Sequence, residues 1–298
     1  MGWTTWADRI GRLDPEHDHL EVHQLVCAHE FPWDTLQALS LALFRTYAVP
    51  TIGGLLDRTG EMTGRAQKRY EDTGLLLDAV LEHGADSGPG RQALRRINGM
   101  HAAYDISQDD LRYVLSTFVV MPIRWNAAYG WRPLTELEKR ASVAYHRELG
   151  RRMGIRDLPG TWQDWERLLD DHEARHFAFH AGGRRVADAT LDLFTTFPLH
   201  DRLPRSLVRA AALALMDDPL LTALGYRRPP AVLCAAVRGG LRLRARVVRW
   251  LPRRRVPLHF RSQPVVRGYP GGYDVSRLGT FPRTCPVPHR RSEGAPAG

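Results

Sequence analysis

Residues 63–104 read TGRAQKRYEDTGLLLDAVLEHGADSGPGRQALRRINGMHAAY, and their periodicity decides the fold class. Apolar side chains recur at steps of three and four on both sides of a Gly/Ser/Pro-rich break, which is the spacing of an amphipathic helix and not of a strand. The pattern predicts a helix over 63–81 that ends near Gly84, a loop over 84–90 and a second helix over 92–104. In the second helix Leu94, Ile97 and His101 stand at i, i+3 and i+7, so an imidazole shares the apolar stripe. In the first, Arg69, Asp72 and Thr73 continue the face made apolar by Leu76, Leu77 and Val80. A polar group buried without a partner costs a few kcal/mol. Each stripe therefore has two readings. Either the groups are satisfied inside the core, His101 on a backbone carbonyl and Arg69 on Asp72, or they point into a pocket that a ligand completes.

The same period extends in both directions. Asp34 is a candidate N-cap for a helix carrying Leu36, Leu39, Leu43 and Tyr47, stopped by Pro50. Ser107 with Asp110, and Thr135 with Glu138, have the spacing of capping boxes. The first opens a helix with Leu111, Val114, Leu115 and Phe118 that Pro122 should end, and the second opens one reaching about Gly150. Further helices are expected over 161–181, 184–197 and 206–216. The fold class is all-α: one globular helical domain over 1–228 enclosing a pocket, then a basic, Pro/Gly/Arg-rich C-terminal extension over 229–298. Its end, 286–298, is expected to be disordered.

The chain has 298 residues and a formal charge of +9, and all of its 42 basic side chains except Lys68 and Lys139 are arginines. With 43% apolar residues it can bury a sizeable core, which excludes a disordered chain or a disulfide scaffold. The cysteines, Cys27, Cys234 and Cys285, form no C-x-x-C pair, as suits a reducing compartment. No signal-peptide pattern and no apolar run of about 18 residues is present. The expected location is cytoplasmic, with contact to a membrane surface as the alternative. That alternative rests on 231–255, where Leu241, Val247, Val248, Trp250 and Leu251 interleave with Arg242, Arg244, Arg246, Arg249, Arg253, Arg254 and Arg255. Such a segment suits anionic lipid or phosphates, but no nucleic-acid-binding signature accompanies it, so no specific nucleic acid partner is expected. Gly239 and Gly240 weaken the case for one continuous helix there.

His172-Glu173-Ala174-Arg175-His176 spells H-E-x-x-H, which on a helix sets two imidazoles on one face for zinc with the glutamate as base. His180 extends the stripe, and Asp188 or Asp192 would have to supply the third ligand. A zinc hydrolase is therefore one functional reading. A solvated amphipathic face is the simpler one.

Seven segments in order point elsewhere. They are Glu30-Phe31-Pro32-Trp33-Asp34, Leu43-Phe44-Arg45-Thr46-Tyr47-Ala48-Val49-Pro50, Gln67-Lys68-Arg69-Tyr70-Glu71-Asp72-Thr73, Arg96-Ile97-Asn98-Gly99-Met100-His101, Pro122-Ile123-Arg124-Trp125, Gly130-Trp131-Arg132-Pro133 and Met153-Gly154-Ile155. Over roughly 15–200 this order resembles the haem-dependent oxygenases of the MpaB and latex-clearing rubber oxygenase family, nearer the fungal ER-bound branch. The resemblance implies an all-α fold holding haem b, with the iron on the residue matching His101. It also implies a distal arginine and threonine matching Arg69 and Thr73, and dioxygen as co-substrate. The lysine that precedes the threonine in rubber oxygenase is replaced here by Asp72, and Glu61 is the candidate for a distal acid. The reaction implied is oxygenation of a small lipophilic, isoprenoid-type substrate by cleavage of a carbon–carbon double bond.

Overall fold

The computed structural model describes residues 6–280, and every regular element among them is helical. In chain order the α-helices are α1 (Trp6–Ile10), α2 (His19–Leu25), α3 (Pro32–Tyr47), α4 (Pro50–Thr59), α5 (Glu61–Gly64), α6 (Ala66–His83), α7 (Gly88–His101), α8 (Gln108–Tyr129), α9 (Glu136–Arg152), α10 (Trp162–His176), α11 (Ala181–Phe194), α12 (Arg205–Leu213), α13 (Asp218–Ala223) and α14 (Ala231–Trp250). The all-α class holds. Cys285 and the segment 286–298 lie outside the described residues.

Several boundaries move, each for a local reason. The backbone breaks at Arg65, separating α5 from α6, and Gly84 closes α6 at φ 78, where glycine carries no steric penalty. Ser87 Oγ accepts from the Gly90 amide at 2.9 Å, so α7 starts inside the expected loop and stops at His101. Pro122 does not end α8, which continues to Tyr129. Val119, Val120, Ile123 and Trp125 are buried on both sides of it, and that packing outweighs the roughly 3 kcal/mol a mid-helix proline costs. Thr135 and Glu138 form the full capping box, and Ser107 accepts from the Asp110 amide at 3.0 Å. Asp34 is no N-cap. Its buried carboxylate accepts from Trp125 Nε1 at 3.0 Å and Arg244 Nη1 at 2.7 Å, tying α3 to α8 and α14. α14 runs unbroken through Gly239 and Gly240.

Two apolar cores lie side by side. Leu75, Tyr113, Val119, Trp165 and Leu169 fill the first, between α6, α8 and α10 with α2, α7 and α9. Phe44, Tyr47, Val186, Leu191, Phe194 and Leu220 fill the second, between α3, α11 and α13. α4 meets α11 so closely at Gly53 that a Cβ there would stand 2.8 Å from Gly183 Cα, which leaves room for no side chain. α6 serves both cores, with Leu75 and Leu76 in the first and Tyr70 in the second.

After α14 the chain returns across α6 and α7, and the buried acids of α6 receive its backbone. Asp78 accepts from the Phe260 and Arg261 amides at 3.1 and 3.3 Å, Glu71 from Arg267 and Gly268 at 2.6 and 3.0 Å, and Asp72 from Gly279 at 2.8 Å. Arg96 Nε donates to the Leu278 carbonyl at 2.7 Å, and Leu278 is fully enclosed. An irregular segment needs such partners for its amides wherever it is buried.

Candidate functional site

The α6–α7 pair places Arg69, Thr73 and His101 together on one side. Thr73 Oγ donates to the Arg69 carbonyl one turn earlier at 2.8 Å and accepts from Arg69 Nη1. The guanidinium is thereby held along the helix with donors to spare, and no carboxylate pairs with it among the described residues. Its charge reaches His101 on α7 and Tyr47 on α3. His101 closes the last turn of α7 beside Ile97, and its ring has no hydrogen-bond partner among the described residues. Burial, reinforced by the Arg69 charge, pushes the imidazole down to about 4, so it is neutral at pH 7 with a lone pair available.

Both satisfied-in-the-core readings fail here. His101 is not bonded to a backbone carbonyl, and Arg69 is not paired with Asp72. The structure separates Asp72 from the other two. It is buried on the opposite flank of α6, where it takes Lys68 Nζ, Tyr269 Oη and the Gly279 amide. Glu61 pairs with Arg65 one turn on, within the short segment before α6. An open cleft of about 510 Å³ sits at the start of α6, lined by Gln67, Lys68, Glu71 and Tyr269. By helix geometry it opens on the flank away from Arg69 and Thr73.

The H-E-x-x-H segment is organised differently. Glu173 accepts from Arg45 Nε at 2.6 Å, from Arg45 Nη2 and from Tyr113 Oη at 3.1 Å, while Arg45 Nη1 reaches Asp217 at 2.7 Å. Arg45 and Glu173 are both buried, so this ion pair joins α3, α10 and the start of α13 through the core. A carboxylate so engaged is no general base. His172 stacks on the Tyr113 ring at 4.3 Å, lies tilted against His176 at 4.4 Å and leaves its Nε2 buried without a hydrogen-bond partner, and burial pushes the ring down to about 4. α10 ends at His176, so His180 leaves the stripe and accepts from the Gly182 amide at 3.1 Å to cap α11. Asp188 is held by Arg184, Arg209 and Tyr226, and Asp192 by Arg209. The zinc-hydrolase set is not assembled.

Sequence reasoning missed one cluster because its parts lie far apart in the chain. Asp78, Glu82 and His259 bring potential ligand atoms within 4.8 Å of one another. Arg261 also pairs with Glu82, and two amides fill Asp78, so the cluster pins the returning segment to α6.

Known proteins resemble this chain over most of its helices. A family model described as ER-bound oxygenase mpaB/B'/Rubber oxygenase, catalytic domain, matches residues 35–250. The ER-bound oxygenase mpaB of Penicillium roqueforti (strain FM164) is 29% identical over 226 residues, covering 65% of this chain and 76% of the relative. The ER-bound oxygenase mpaB' of Penicillium brevicompactum is 31% identical over 241 residues, covering 74% and 56%. From the same organism, ER-bound oxygenase mpaB is 36% identical over 227 residues, covering 70% and 57%. The chain thus spans a little over half the length of the two P. brevicompactum relatives. These names overturn the expected cytoplasmic location, since all three relatives are bound to the endoplasmic reticulum. Among the described residues no single helix is long and apolar enough to cross a membrane. The domain match spans helices α3 to α14 and includes Arg69, Thr73 and His101, and the chain belongs to the family of the ER-bound mpaB/B' oxygenases and rubber oxygenase.

Proposed function

We propose that the chain is a haem b-dependent oxygenase that uses dioxygen to cleave a carbon–carbon double bond in a small lipophilic, isoprenoid-type substrate. The observation that carries this reading is the His101 imidazole, neutral and, among the described residues, unpartnered and beside a guanidinium that no carboxylate neutralises. The haem-free protein gains no hydrogen bond from that pairing, and the neighbouring positive charge disfavours protonation of the ring. The pairing becomes favourable when a metal takes the lone pair. The residues therefore fit a haem site: one neutral imidazole on a largely apolar helix face, and a positively charged donor on the neighbouring helix.

His101 would hold the iron. Haem, when bound, supplies the iron centre at which dioxygen is activated. Thr73 fixes Arg69 along α6 and leaves N–H donors free for a charge-assisted hydrogen bond to a negatively polarised co-substrate. The carbonyl or carboxylate acceptor that often fixes the second ring nitrogen of an iron-bound histidine is absent around His101 among the described residues. The lipophilic substrate is inferred from the family description, which names rubber oxygenase.

The test is an absorption spectrum of protein expressed with haem supplementation. The expected result is a Soret band that shifts with dithionite and carbon monoxide, vanishes in His101→Ala and persists in Arg69→Ala. The Arg69 variant should lose substrate-dependent oxygen consumption by about 100-fold, as for removal of one preorganised charge-stabilising donor. A Soret band of full intensity in folded His101→Ala overturns the ligand assignment, and its absence from wild type overturns the cofactor.

A further inference from the structure

α14 carries apolar stripes on two opposite sides. The inner one, with Cys234 and Ala245 buried, packs against α8 and α12. The outer one consists of Val232, Leu243, Val247 and Trp250, which are 82%, 59%, 54% and 87% exposed. At 3.6 residues per turn these four fall within a sector of about 60°. The exposed apolar surface continues past the helix into Leu251 and Val256. An apolar patch of this kind is unusual on a protein surface without a partner.

The charge beside the patch is equally one-sided. Arg242, Arg246 and Arg249 lie along one flank of the outer stripe, and none has an ion pair among the described residues. Arg244, one step round the helix, turns inward to Asp34. Elsewhere arginines such as Arg112, Arg124, Arg132, Arg152 and Arg209 are paired with carboxylates. No Asp or Glu occurs between Asp218 and Asp274.

We propose that the outer face of α14 seats on an anionic lipid surface, with Trp250, Val247 and Leu243 entering the headgroup boundary and Arg242, Arg246 and Arg249 on the lipid phosphates. A lipid surface takes both halves of the pattern at once. A phosphate-bearing polymer would use the arginines and leave the large apolar side chains in water. A second copy would bury the apolar stripe while bringing two unpaired arginine rows together. The proposal stands independently of the haem reading, since it involves neither α6 nor α7.

The experiment is co-sedimentation of the full chain with vesicles of phosphatidylcholine alone and of phosphatidylcholine with phosphatidylglycerol. Binding is expected only to the anionic vesicles and should weaken steeply with added salt. Each lost arginine contact should weaken it about fivefold, so Arg242→Gln/Arg246→Gln/Arg249→Gln should lose about 100-fold. Leu243→Ser/Trp250→Ser, at positions already in solvent, should keep the fold by circular dichroism and lose vesicle binding at all salt concentrations. Vesicle binding unchanged in either variant overturns the proposal. So does failure of wild type to bind, whether DNA binds instead or sedimentation velocity shows self-association that Leu243→Ser/Trp250→Ser abolishes.

Discussion

Among the helices that carry an inward histidine, α10 and α7 give it opposite surroundings. On α10, Glu173 and His172 sit in a closed arrangement. The carboxylate is matched by Arg45 and Tyr113, and the ring is stacked on Tyr113 with His176 tilted against it. On α7, His101 stands beside a guanidinium whose hydrogen bond, among the described residues, runs along its own helix. The Glu173 carboxylate is finished as it stands, although His172 Nε2 is buried without a hydrogen-bond partner, 3.7 Å from Asp110. The His101 region lacks something. A motif that matches a metalloenzyme pattern thus lies in the structural core, and a helix pair with no such pattern holds the guanidinium that no carboxylate matches among the described residues. The two regions differ in charge, where residue spacing does not separate them: Glu173 is matched by Arg45, and no carboxylate among the described residues matches Arg69.

The largest expected effect tests the closed region. Glu173→Ala strands the Arg45 guanidinium inside the protein with Asp217 as its remaining acid, and removal of one partner of a buried pair costs about 3–5 kcal/mol. Urea unfolding followed by circular dichroism should show that loss as a lower midpoint. A loss under about 1 kcal/mol would mean the pair is open to solvent and would return Glu173 to the list of candidate bases.

The comparison also shows which parts were legible in the chain. The apolar period gave helices at 63–104 with their loop, because a stripe at 3.6 residues reports burial directly. It could not resolve Asp72 from Arg69 and Thr73, since three and four residues put all of them near one face. The difference lies in what arrives from outside: Tyr269 and Gly279, about 200 positions later, claim Asp72. Pro122 and Gly239-Gly240 misled for a related reason. Local propensity there is overridden by packing, and packing is set by partners distant in sequence. Arg69, Thr73 and His101 were found by their placement on apolar stripes, and Glu173 was misread because Arg45 is 128 residues away.

A second test sharpens the contrast through pH. Burial pushes His146 and His172 down to about 4 from 6.5. Unfolded, each titrates near its ordinary value, so between pH 6.5 and 4 the unfolded chain binds more protons and stability must fall as pH falls. The full stability is present above 6.5, and the loss from a completely buried histidine approaches about 3 kcal/mol by pH 4. Glu30 and Asp34, raised by burial, take up protons first in the folded state and oppose the loss at its acid end. Thermal unfolding from pH 7 to 4.5 should show a falling midpoint, reduced in slope by His146→Phe if that ring is a source. A flat profile would place both rings in contact with water.

The smallest expected effect belongs to the open region. Removing Glu173 breaks matched interactions. Removing the His101 side chain from the haem-free protein breaks none, because its ring donates to nothing and accepts from nothing among the described residues. Only the packing of a largely but not fully enclosed ring at the end of α7 is lost, so His101→Ala should change apo stability by less than about 1 kcal/mol. Haem-saturated protein should respond quite differently. A ligand that binds only the folded state adds stability in proportion to its affinity, and the variant should forfeit that increment. The urea midpoint should therefore rise with added haem in wild type and stay fixed in His101→Ala. Equal shifts in both would show that haem binds without this ring. A loss of several kcal/mol in the apo variant would mean that His101 has a structural partner after all, and the two regions would no longer differ in kind.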